Sequence, residues 1–186
     1  MYRVYTAETA PQDELPHKID LESMIPKGNC CAFMHTIKAK IIIAWLGISA
    51  GIMAGVVFAM DYGNWPAVTM CFASSFFALL SLHLHKAHQN GRIYTFSVNK
   101  LKCMSAAGLF AGIMSTIGMV YALVIGAVEQ QTLTREGLMG PNAWIIAVWM
   151  FMTAKWAFLT CRFARKYRQE VEENQPLLAP PPVYEP

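Results

Sequence analysis

Three of the chain's five histidines, His83, His85 and His88, fall within six residues. Neutral imidazole is a regular axial ligand of heme iron and a good ligand for many metals. His83 and His85 are therefore candidates for binding an iron. On a helix, His85 and His88 share a face because they are three residues apart, and His83 points to a different side. The plainer alternative is that all three are polar anchors at a membrane–water boundary.

Lys155 is the second candidate, an ionisable group inside an otherwise apolar run. Charge in hydrocarbon is costly and commonly functional. Lys155 can pair with a carboxylate of a substrate, or snorkel toward the nearer surface, where Arg162 lies about two turns away. The third is Phe163-Ala164-Arg165-Lys166-Tyr167. An aromatic ring, two cations and a phenol so close together can stack on a flat ring and pair with carboxylates. The alternative is an ordinary cationic cluster holding anionic headgroups.

The C-terminal end carries recognition patterns rather than chemistry. Glu173 stands four residues before Leu177-Leu178, the form of an acidic dileucine sorting signal. Tyr167 to Val171 reads as a tyrosine-based sorting signal. Pro181, Pro182 and Tyr184 form a PPxY ligand for WW domains, presented as polyproline II. These patterns name clathrin adaptors and WW-domain proteins as partners. They also supply a rival function, a membrane-anchored trafficking adaptor that recruits ubiquitin ligases and coat adaptors.

Several chemistries have no support. There is no Gly-rich phosphate loop for ATP-driven pumping, and no G-x-S-x-G or H-E-x-x-H. A membrane di-iron oxygenase needs several histidine boxes, and a diheme carrier needs histidines on facing helices. The expectation is a protein that is not an enzyme.

The elements that must position these groups follow from composition. Of the 186 residues, 55% are hydrophobic and only 15% charged, with a mean hydropathy of +0.33. A soluble domain carries about 25% charged residues. Four runs are long enough to cross about 30 Å of hydrocarbon: about 41–60, 62–84, 103–128 and 142–163. The expected fold is all-α, a four-helix membrane bundle, with a tail over 1–40 and another over 164–186. The second tail is proline-rich and acidic, and disorder is expected from Gln169.

Charge placement gives the orientation. Lys38 and Lys40 precede the first run, and Lys86, Arg92, Lys100 and Lys102 lie between the second and third. Arg162, Arg165, Lys166 and Arg168 follow or end the fourth, while the connection between three and four has Arg135 alone. Positive-inside asymmetry places both termini and the middle connection in the cytosol. The net charge of +3 is thus a matter of membrane orientation, and no nucleic-acid partner is expected. Trp65 and Trp144 mark the opposite edge. The first forty residues lack a short apolar core, so no cleaved signal peptide is expected. No disulfide is expected among Cys30, Cys31, Cys71, Cys103 and Cys161. Cys30 and Cys31 are free thiols or palmitoylation sites.

Small residues recur at helical spacing: Gly47, Gly51 and Gly55, then Gly108, Gly112, Gly118, Ala122 and Gly126. Such stripes let helices approach closely. Packing inside one bundle is the favoured use, and a homo-oligomer face the alternative.

Lys155-Trp156-Ala157-Phe158-Leu159 followed by Phe163-Ala164-Arg165-Lys166-Tyr167 resembles the heme-responsive gene family of heme transporters, solute carrier family 48. The resemblance covers roughly Ile41 to Tyr167, and the long N-terminal tail is like that of nematode members. It implies four spans, cytosolic termini, heme as the transported substrate, and an endosomal, lysosomal or plasma-membrane location. It also implies a span-two histidine as iron ligand, a role for His83 or His85, and a heme-contacting role for Phe163, Arg165, Lys166 and Tyr167. The lipid bilayer and the vacuolar proton pump join heme as implied partners. The family's outer-loop histidine or tyrosine has no counterpart in Glu129–Asn142, where Gln130 is nearest the expected place.

Overall fold

The computed structural model describes residues 36–134 and 139–178, with side chains to Asn174. The dileucine side chains of Leu177 and Leu178, the PPxY residues Pro181, Pro182 and Tyr184, and Cys30, Cys31 and Arg135 lie outside what is described. Among the described residues all regular structure is helical: α1 Ile37–Val57, α2 Trp65–Gln89, α3 Val98–Val128 and α4 Ala143–Leu178. A π-helical turn, Phe58–Tyr62, prolongs α1, and a 3₁₀ turn, Arg92–Thr95, lies between α2 and α3. All four helices are long and apolar enough to cross a membrane.

The helices begin and end where the backbone chemistry requires. Asn64 caps α2, its Oδ1 accepting from the Ala67 amide at 3.2 Å, and Pro66 follows in the first turn, where its missing N–H costs nothing. Asn142 caps α4, accepting from the amides of Trp144 at 3.1 Å and Ile145 at 3.3 Å. Gly91, at φ +67°, turns the chain out of α2.

α2 and α4 form the inside of the bundle. Half of the most apolar window of α2 is buried and 39% of that of α4, against 17% for α1 and 22% for α3. α4 packs along both α3 and α2, and α1 lies along α2. The glycine stripes are used within this bundle. A Cβ on Gly108 would lie 2.7 Å from the Ala157 carbonyl oxygen, and one on Gly112 would lie 2.6 Å from the Phe158 ring. Gly51 lies against Ser75 of α2, and Gly47 against the Trp156 ring of α4. Hydroxyls tie the same surfaces together: Ser81 and Thr160 are 2.9 Å apart, and Thr153 donates to the Met70 carbonyl at 3.0 Å. The large exposed hydrophobics, among them Leu46, Met53, Phe110 and Val124, are the surface lipid would cover.

Two expectations about the C-terminal segment are corrected. Disorder was expected from Gln169, but α4 continues to Leu178. Ala164, Tyr167 and Val171, on one helical face, are buried with Leu84, Ile93 and Leu101 of the preceding elements. Lys166–Glu170 at 3.7 Å and Arg168–Glu172 at 3.6 Å line the outer side of the same turns. The tyrosine-based sorting signal also fails, because Tyr167 and Val171 are each only 3% exposed. Its spacing is, besides, one residue longer than tyrosine-x-x-bulky. Glu173 of the dileucine pattern is exposed on the helix.

Candidate functional site

The last three turns of α2 and the corresponding turns of α4 run side by side, and their side chains meet in one aromatic and imidazole cluster. His85 is 2% exposed, and its Nδ1 lies 2.8 Å from the Tyr167 hydroxyl. The edge of its ring faces Phe163, with centroids 4.4 Å apart. His88, one turn further, stacks on Tyr167 at 4.5 Å and 24°. Its Nε2 is 2.8 Å from Glu170, which also pairs with Lys166. Tyr167 is therefore held from two sides by histidines of α2. Lys40 of α1 places its ammonium over Phe163 at 5.3 Å, adding a cation to the cluster.

His83 belongs to a different environment. It is exposed and stacks on Phe96 at 5.6 Å and 22°. With Lys86, Asn90, Arg92 and Phe96 it lines a cavity of about 240 Å³. The 3₁₀ turn after Gly91 brings Arg92 and Phe96 back beside α2. Lys100, from the start of α3, lies 4.4 Å over the other ring of the stack, Phe96. The cavity thus combines an accessible imidazole, a flat aromatic wall and cations.

The remaining candidates divide. Phe163 and Tyr167 point into the cluster. Arg165 faces α3, donating from Nε to Ser105 at 3.1 Å. Lys166 stays on the outer side with Glu170. Lys155 is not brought to this end; it is exposed, with its ammonium 5.5 Å from the Trp156 ring. Gln130 ends α3 in a left-handed conformation, φ +48°. Its neighbour Gln131 holds the α3–α4 connection, accepting from the indole N–H of Trp144 at 2.9 Å. Among the described residues no three His, Cys, Asp or Glu side chains converge as a metal cage. An iron bound here would therefore need most of its coordination from its own ligand.

Sequence reasoning missed Lys40, Arg92, Phe96 and Glu170. Glu170 had a readable signal, its i,i+4 spacing from Lys166. The other three lie before or between the helices' histidines and α4, where no periodicity links them to the site.

A family model described as haem-transporter, endosomal/lysosomal, haem-responsive gene matches residues 101–156. The chain is 53% identical over 167 residues, 89% of its length, to the heme transporter hrg-1 of Caenorhabditis elegans, of which it covers 86%. The chain belongs to the haem-responsive gene family.

Two further family members of that nematode are more distant. Heme transporter hrg-6 is 25% identical over 74% of this chain and 83% of its own length. Heme transporter hrg-4 is 24% identical over 78% of this chain and 87% of its own. No solved structure matches the chain. The segment shared with the haem-responsive gene model runs through α3 and into α4 as far as Trp156. It stops short of Phe163–Tyr167 and does not include the histidines of α2.

Proposed function

We propose that this chain carries heme across a membrane, from an endosomal or lysosomal lumen or from outside the cell into the cytosol, and that it catalyses no reaction. The observation that carries the reading is the gathering of imidazoles, aromatic rings and cations at one end of the bundle, in a chain that is 53% identical to a heme transporter.

Heme makes three chemical demands: a ligand for iron, flat apolar contacts for the macrocycle, and cations for two propionates. The His83 cavity answers all three. Neutral imidazole donates a lone pair to the iron. Phe96, stacked on the imidazole, meets the porphyrin edge-on as an apolar wall, and Lys86 and Arg92 pair with the propionates. His85 is closed off by Tyr167 and Phe163. Turning Tyr167 aside would expose a second imidazole one layer deeper, so the two histidines would act at successive positions of the cargo. Charge asymmetry supports placing this end in the cytosol, which makes it the exit site.

Replacing His83 and His85 together with alanine should lower heme uptake by heme-auxotrophic cells several-fold while surface and organelle levels of the protein stay constant. Uptake equal to that of the unaltered chain would remove the histidines from the mechanism.

A further inference from the structure

The His83 cavity accounts for one end of the bundle only. A larger cavity, about 440 Å³, opens at the other end and is lined by Met60, Asp61, Tyr62 and Met139. Tyr62 stands 21 residues before His83, most of the length of α2, so the two cavities lie roughly 30 Å apart. A carrier needs a place for its cargo on the side where the cargo arrives.

The cavity is built by two separate parts of the chain. The last turn of α1 widens into the π-helical stretch Phe58–Tyr62, a departure that recurs at functional sites. Gly63, at φ +63°, then reverses the chain. The Gly140 amide donates to the Tyr62 carbonyl at 2.7 Å, which ties the α3–α4 connection to this turn and brings Met139 beside Met60. The Tyr62 ring rests on Phe58 at 5.9 Å, and Phe58 in turn meets the Trp149 ring of α4 at 6.5 Å. Tyr62 is thus braced from behind, and among the described residues its hydroxyl has no hydrogen-bond partner.

We propose that this cavity is the entry site for ferric heme, with Tyr62 as the iron ligand; this rests on the transport reading above. Among the described lining side chains, only Tyr62 combines an aromatic face with a group known to hold ferric heme iron as phenolate. Met60 and Met139 supply soft, polarizable walls for a macrocycle edge. Asp61 repels the propionates, and among the described residues no Lys or Arg lines the cavity, so the propionates turn outward to solvent and the iron inward. On binding hydroxo-ferric heme, the phenol oxygen bonds to iron as the hydroxide leaves. The phenolic proton departs with that hydroxide as water, and the iron stays ferric. A phenolate at entry and an imidazole at exit give the cargo two distinguishable ligands.

The test uses the full chain purified in lipid nanodiscs and titrated with hemin, followed by absorbance and electron paramagnetic resonance. Four proteins are compared: the unaltered chain, His83→Ala/His85→Ala, that variant with Tyr62→Phe added, and that variant with Tyr62→His added. The double-histidine variant should keep a high-spin tyrosinate-ligated heme. Adding Tyr62→Phe, which keeps the ring on Phe58, should abolish that signature and weaken the remaining binding at least tenfold. Adding Tyr62→His should restore binding with an imidazole spectrum. An unaltered affinity and spectrum on adding Tyr62→Phe would overturn the entry site, as would loss of all heme from the double-histidine variant. If the unaltered chain binds no hemin, the transport reading fails, and the entry site with it.

Discussion

At the scale of single residues, the histidine end of the bundle is a contest for cations. Glu170 holds Lys166 at 3.7 Å and His88 at 2.8 Å, and is itself a negative charge where propionates would arrive. Replacing Glu170 with alanine should free both partners and remove the repulsion. Heme affinity, read by hemin titration, should rise several-fold. The pairs are part-exposed, so thermal stability should fall by less than about 1 kcal/mol. An unchanged or lower affinity would mean that Lys166 and His88 do not face the cargo. The separation of His83 from His85 and His88 was readable from helical spacing, since three residues bring side chains together and two do not. What surrounds His83 was not readable, because Phe96 and Arg92 reach it only through the turn that Gly91 and the 3₁₀ segment create. Arg165 illustrates the opposite limit. Its place in Phe163–Tyr167 suggested a propionate partner, yet its rotation about α4 points it at Ser105 of α3.

At the scale of elements, the number and order of the helices followed from apolar runs and charge placement, but their ends did not. α3 begins at Val98 rather than near residue 103, and α4 runs on to Leu178. A hydropathy run marks where lipid begins, whereas a helix continues as long as its face has something to pack on. Ala164, Tyr167 and Val171 carry that face past the membrane boundary, and their spacing was present in the sequence beneath the charges and prolines of the tail. The glycine stripes were readable as close-approach surfaces, while their partners were not. In the fold, Gly108 meets the α4 backbone at Ala157 and Cys161. Because backbone cannot step aside as a flexible side chain can, Gly108→Ala should destabilise the bundle by roughly 1–3 kcal/mol, seen as a lower unfolding temperature in detergent. A stability equal to that of the unaltered chain would show that α3 and α4 have room to separate there.

At the scale of the whole molecule, the two ends of the bundle are chemically unlike. One end gathers histidines, aromatic rings and the cations Lys40, Lys86, Arg92 and Lys100. The other end has a methionine-walled cavity that, among the described residues, carries one tyrosine and one aspartate. Between them the helices are joined by glycine contacts and a few hydroxyl hydrogen bonds, each worth about 0.6 kcal/mol in membrane proteins. Such seams can part without breaking a charged network. That polarity was only half legible in the sequence. The histidine end stood out by residue type, whereas the tyrosine end depends on the Tyr62–Gly140 hydrogen bond, which joins residues far apart in the chain. On the proposed function, this single chain suffices to move heme from one side of a membrane to the other. The most direct measurement is transport of a fluorescent heme analogue by the purified chain in liposomes, with and without a pH gradient across them. Analogue entry should rise well above that of protein-free liposomes and fall by a large factor with His83→Ala/His85→Ala, whichever gradient condition is faster. Entry no greater than in protein-free liposomes under both conditions, with the protein folded and inserted, would contradict the proposed function.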